Sequence, residues 1–261
     1  MSKLLDMFTQ ARRGQSSAGM GFLGKNRPET KPRAAALVVE LASAEAGGAE
    51  AALKSGADGL LFVWDGKDTG WLNTLKNGID TTKTSNDKAV YGLHITNGWD
   101  KLTRESLEQL RDYGVNFVVL PLQAPARVLA LQVKDLDLVV TVPMREGDLY
   151  PIFIRNLTAF DNIAAVQLDF GLGNDLGEMA IEDVLQYRAV REAVRFPALL
   201  NVKANMTEAD AYTLTTLGVQ AVILTASASD EQTRQQIKAL YELLEKSHQE
   251  DKDKAPTVIK Q

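Results

Sequence analysis

Four ionisable side chains stand where apolar runs give way to polar residues: Glu40 in ALVVEL, His94 in VYGLHI, Asp169 in AAVQLD and Lys203 in ALLNVK. A glutamate or lysine set in an apolar run is costly unless it is paired or solvated. Glu40 or Asp169 can act as general acid or base, and His94 can orient it. Lys203 can bind or activate a substrate in two ways. Desolvation favours the neutral amine, a Schiff-base nucleophile. A neighbouring Glu40 or Asp169 carboxylate keeps it charged, as an anchor for an anion. Acidic candidates outnumber basic ones here, which favours the anchor.

Side chains alternate along a strand, so these residues bring neighbours with them. Leu199, Asn201, Lys203 and Asn205 share one face, as do Ala165, Gln167 and Asp169, and Glu40 shares a face with Val38. His94 falls with Gly92 and Thr96, while Thr141 and Thr225 lie near the ends of two further runs. The polar set is expected to face one common mouth, because the opposite set is apolar and must pack on helices.

The elements that would position them are read from Phe196–Ser229. Ala198–Val202 is a short apolar run ending in polar residues. Thr207 can cap a helix, with Glu208 and Asp210 in the first turn where the dipole favours negative charge. Ala211, Leu214 and Leu217 give that helix an apolar face, Gly218 ends it, and Val219–Leu224 is a run too apolar for a wet face. Strand, helix and strand in so few residues make a right-handed parallel crossover.

The unit recurs along the chain: LKSGADGLLFVW, LRDYGVNFVVLP and LTTLGVQAVILT share a helix end, a glycine and an apolar strand. Strands are expected at Ala34–Leu41, Gly59–Trp64, Ala89–Ile95, Asn116–Leu122, Leu136–Val142, Ile163–Phe170, Ala198–Lys203 and Val219–Thr225. Helices are expected at Ala44–Lys54, Trp71–Ile79, Thr103–Tyr113, Pro125–Gln132, Leu149–Phe160, Ile181–Val194 (long and amphipathic), Ala209–Leu217 and Gln232–His248. Eight strands alternating with eight helices in 261 residues fit a single closed α/β (β/α)8 barrel over residues 34–248. An open doubly wound sheet is the alternative, since a sequence does not show closure.

Residues 1–33 read as an N-terminal extension: a short helix over Lys3–Arg12, then a leader rich in Gly, Ser and basic residues, packed less tightly than the barrel. The leader either stays flexible or lays Gly19–Gly24 across a barrel end or a neighbouring subunit. Residues 249–261 read as a disordered, charged tail.

The net charge of −5 gives no general pull toward nucleic acid or anionic membrane. With no cysteine there is no disulfide, thiolate metal site or cysteine nucleophile. No run is long enough to span a bilayer, and Met1–Gly14 lacks a signal peptide's apolar stretch. The expectation is a soluble, cytoplasmic protein. Only His94 and His248 could join a histidine metal site, and no metal is expected. The segment Gly171-Leu172-Gly173-Asn174 falls short of a dinucleotide fingerprint, and a lid over the mouth is its expected place.

The run NVKANMTEADAYTLTTLGVQAVILTAS resembles the last third of the aldolase-type and ribulose-phosphate-binding-type TIM barrels. In those proteins the loops after strands seven and eight grip a phosphate, often of a sugar phosphate or FMN. The resemblance implies Asn201, Asn205, Thr225, Ser227 and Ser229 as phosphate or substrate ligands, helped by the N–H groups of the helix starting near Asp230. The sequence departs from the pattern: Asn205 stands where glycine is usual, Thr225-Ala226-Ser227 replaces a Gly-Ser pair, and Asp230 and Glu231 would repel an anion. The expectation is a lyase or isomerase acting on a small anionic carbonyl metabolite, with Glu40, His94, Asp169 and Lys203 as the catalytic set and a homo-oligomer as an open possibility. The alternatives are an FMN-binding oxidoreductase and a non-catalytic barrel serving in binding or assembly.

Overall fold

A computed structural model describes residues 2–13, 31–44, 46–145, 147, 149–171, 176–226 and 231–254. The sheet is a closed barrel of eight parallel strands in sequence order: β1 (Ala36–Leu41), β2 (Gly59–Trp64), β3 (Val90–Ile95), β4 (Phe117–Pro121), β5 (Asp137–Pro143), β6 (Ile163–Asp169), β7 (Ala198–Val202) and β8 (Ala221–Ala226). β1 pairs with β8 through Ala36↔Ala221 to Leu41↔Ala226, which closes the ring and excludes the open sheet. All six residues of β1 are buried, as expected of a parallel strand covered on both faces.

The helices are α1 (Lys3–Arg13), α2 (Ala46–Lys54), α3 (Thr69–Ser85), α4 (Arg104–Asp112), α5 (Tyr150–Ile154), α6 (Ile181–Val194), α7 (Glu208–Leu217) and α8 (Glu231–Lys254). Thr207 accepts a hydrogen bond from the Asp210 N–H at the start of α7, and Gly218 ends that helix at φ 69°, as the sequence indicates. Two crossovers are thinner than expected. The one between β4 and β5 holds only a 3-10 turn, Ala126–Ala130, and α5 is one helical turn continued as 3-10 from Arg155 to Ala159. α6 is apolar on two sides: Val190 and Val194 are buried, but Ile181 and Leu185 face outward. Among the described residues no helix is long and apolar enough to cross a membrane.

Two apolar layers result. The larger lies between the strands and the outer helices. The smaller fills the barrel, with Val38, Leu61, Phe117, Val139, Leu199 and Ile223 pointing to its axis. Phe117 occupies the centre because its neighbour on β3 is Gly92: any Cβ there would stand inside the Phe117 ring. This ring closes the barrel beneath the residues at its C-terminal mouth.

The other end is closed by α1. Leu4, Met7, Phe8 and Ala11 are 0–5% exposed and belong to the same cluster as the barrel interior. The helix is tied to strand starts on several sides. Ser2 donates to the carboxylate of Asp137, the first residue of β5, Arg12 Nη2 donates to the Val219 carbonyl ahead of β8, and the Arg33 N–H donates to the Ala11 carbonyl. The expectation of a loosely packed N-terminal segment therefore fails for α1: its apolar stripe has no other partner in an open barrel end. The proposed path of Gly19–Gly24 falls outside the described residues. Beside α1, Arg33 is buried and grips Asp58 with both terminal nitrogens, at 2.8 and 2.6 Å, while its guanidinium lies 4.3 Å over the Tyr241 ring of α8.

Candidate active site at the barrel mouth

The strand faces that fill the barrel continue upward into polar residues. On β1, Val38 is followed inward by Glu40, on β3 Gly92 by His94, on β6 Ala165 by Gln167, and on β7 Leu199 by Asn201. The expected parity is thus the observed one. These side chains form two hydrogen-bonded groups.

The first group joins β1, β3 and β8. His94 Nδ1 lies 3.1 Å from Glu40 Oε1, and Thr225 Oγ1 donates to Glu40 Oε2 at 2.9 Å. Glu40 is only 8% exposed. Burial alone would push its carboxyl up, but the hydrogen bonds from His94 and Thr225, together with the imidazole's charge, outweigh burial and hold it below its ordinary value. A carboxylate only accepts, so Nδ1 is the nitrogen that carries a proton toward Glu40, which leaves Nε2 as the atom that can release or take up a proton. Nε2 has no partner among the described residues. The imidazole side chain is 24% exposed against 10% for Glu40, so it is the member of the pair that a ligand in the mouth would meet.

The second group joins β5, β6 and β7. Gln167, 4% exposed, donates from Nε2 to Asn201 Oδ1 at 2.7 Å, and Thr141 Oγ1 approaches Gln167 Oε1 at 3.5 Å. With its oxygen engaged, Asn201 keeps its amide N–H groups for the mouth. β3 and β7 are four strands apart in a ring of eight, so His94 and Asn201 stand on opposite walls.

The remaining expected residues fare differently. Asp169 ends β6 on the inward parity and is exposed; Lys203 follows β7, is exposed, and makes no ion pair among the described residues. The pairing of Lys203 with Glu40 or Asp169 is therefore absent, because Glu40 is already satisfied by His94 and Thr225. Asn205 lies exposed in the turn before α7. Ser227 and Ser229 lie outside the described residues, as do Leu172–Asn174 of the expected lid. Among the described residues no group of three or more His, Asp or Glu could hold a metal ion. Sequence reasoning noted Gln167 on the right face but gave it no part; a glutamine inside the run IAAVQLDF was the available signal.

Solved structures share this architecture. The fold is that of the TIM barrels. Tryptophan synthase from M. tuberculosis in its aminoacrylate-bound form matches with a TM-score of 0.60 at 14% identity, over 95% of this chain and 99% of that one. Thiamine phosphate pyrophosphorylase from Pyrococcus furiosus matches with a TM-score of 0.59 at 13% identity, over 82% and 98%. The YdjI aldolase from Escherichia coli K12 matches with a TM-score of 0.53 at 13% identity, over 81% and 92%. At these identities the likeness is one of fold, and it agrees with the TIM-barrel resemblance of the sequence. No family model and no curated protein matches the chain.

Proposed function

We propose that the protein is a lyase or isomerase that moves a proton next to the carbonyl of a small anionic metabolite, with His94 as the acid–base group. The observation that carries this reading is the Glu40–His94 pair at the mouth of the barrel. It reverses the roles the sequence suggested. Glu40 has both oxygens engaged and is a positioning residue: it fixes the imidazole tautomer and favours the imidazolium that forms, and Thr225 holds Glu40 in place. His94 Nε2 takes the proton from the carbon beside the carbonyl. The C–H electron pair moves to the carbonyl oxygen, giving an enolate, which the Asn201 amide N–H can stabilise from the opposite wall. In an α-hydroxy carbonyl substrate, return of the proton to the former carbonyl carbon, with the hydroxyl proton passing to the enolate oxygen, completes an isomerisation; expulsion of a β-hydroxyl, which takes the proton from the His94 imidazolium and leaves as water while the C=C bond forms, completes a lyase reaction. Exposed Lys203, on the inward parity of β7, supplies positive charge for the substrate's anionic group, and a cytoplasmic setting is part of this reading.

The test is deuterium uptake from D2O into a panel of keto acids, sugar phosphates and aldehydes, followed by proton NMR. Enzyme-dependent exchange is expected with at least one compound. It should fall by about 10²–10⁴-fold in His94→Gln, the range of a lost general base. Exchange that persists unchanged in His94→Gln would refute the assignment. Absorbance near 450 nm in the purified protein would favour the flavin oxidoreductase instead.

A further inference from the structure

Apolar side chains on the outer surface are concentrated in one sector. Among the large hydrophobic residues that the described part of the chain exposes, Leu149, Ile152 and Phe153 lie at α5 and Ile181 and Leu185 lie on the first turns of α6. They are 61–81% exposed. The two helices are neighbours in the outer ring. In a parallel barrel a helix following a strand begins at the mouth end, so this face flanks the mouth from outside.

The placement follows from thin local structure. α5 is a single turn, with Tyr150 and Ile154 turned to the core and Ile152 and Phe153 left outward. Ile181 and Leu185 are four residues apart and form a ridge on the solvent side of α6, opposite Val190 and Val194. Five such side chains leave on the order of 600 Å² of apolar surface, at the upper end of what a monomer exposes in one patch. That is most of the roughly 800 Å² each partner contributes to a standard protein interface.

From this area and from the charges beside it we infer that the α5–α6 face is the interface between two copies of this chain, related by a twofold axis. Arg155, just after α5, and Glu182, in the first turn of α6, are both exposed and form no ion pair among the described residues. With charges of both signs beside an apolar centre, Arg155 on one side and Glu182 with Asp183 on the other, the patch is self-complementary: each Arg155 can meet the other copy's Glu182, as an isologous contact requires.

The test is sedimentation velocity on the full chain at about 1–100 µM, a range that spans micromolar dissociation constants. The expected species has the mass of two 28.5 kDa chains. Phe153→Glu and Ile181→Glu, both at exposed positions, should each give the single-chain mass with an unchanged circular dichroism spectrum, and a melting temperature that no longer depends on protein concentration. Arg155→Glu should weaken the dimer at least tenfold, and adding Glu182→Arg should restore it. A wild-type protein that stays at 28.5 kDa throughout overturns the inference; if it then floats with phosphatidylcholine vesicles, the face belongs to a lipid surface. A dimer that survives both glutamate substitutions also overturns it.

Discussion

Phe8→Ala tests whether α1 is part of the barrel or an appendage. Phe8 is 4% exposed and shares a cluster with Val38, Phe117 and Ile223 inside the strands. Truncating a buried phenylalanine costs about 3–5 kcal/mol, the transfer term plus the cavity left behind. The cavity cannot collapse easily here, because the ring of strands is closed on itself and α1 is held at both ends by Ser2–Asp137 and Arg12–Val219 contacts. The upper half of that range is therefore expected, a large share of the roughly 5–15 kcal/mol that holds an ordinary domain together. Equilibrium urea unfolding, followed by far-ultraviolet circular dichroism, gives the value from the midpoint and slope. Leu5→Ala is the control: Leu5 lies at the flank of that helix's buried stripe, is 37% exposed, and should cost less than about 1 kcal/mol. If Phe8→Ala costs no more than Leu5→Ala, α1 does not close the barrel and the packing argument is wrong.

Gly92→Ala should destabilise by about 1–3 kcal/mol through overpacking against Phe117, and Gly92→Ala combined with Phe117→Leu should cost less than the sum of the two; strict additivity in the same urea assay would disprove the contact. Asp58→Ala strands the buried Arg33 guanidinium and should cost on the order of 3 kcal/mol, whereas Asp58→Ala with Arg33→Met should recover much of the loss. The Glu40 carboxyl is held below its ordinary value of 4.5, so the stability it contributes is full above that value and is lost as the pH falls through its lower folded-state value. Wild type should accordingly lose stability more steeply than Glu40→Gln below about pH 4.5; parallel profiles would show that the His94 and Thr225 contacts do not favour the carboxylate.

The barrel was legible in the sequence because its signals are local. Apolar runs such as ALVVEL and AVILTA need burial on both faces, the Thr207 and Gly218 positions cap α7, and the repeat of helix, glycine and strand leaves few topologies. The inward parity of Glu40, His94, Gln167 and Asn201 was legible too, since alternation along a strand needs no knowledge of the partner strand. What the sequence left undecided were the pairings between strands. Glu40 and His94 are 54 positions apart and Glu40 and Thr225 are 185 apart. Only the closure of β1 against β8 and the stagger across β2 bring them together, and that closure decides that Glu40 is satisfied while Lys203 stands free of it. The same holds for α1. Its stripe of Leu4, Met7 and Phe8 marks a buried face, but the stripe does not say what it is buried against, and the open lower end of the barrel exists only once eight strands have closed.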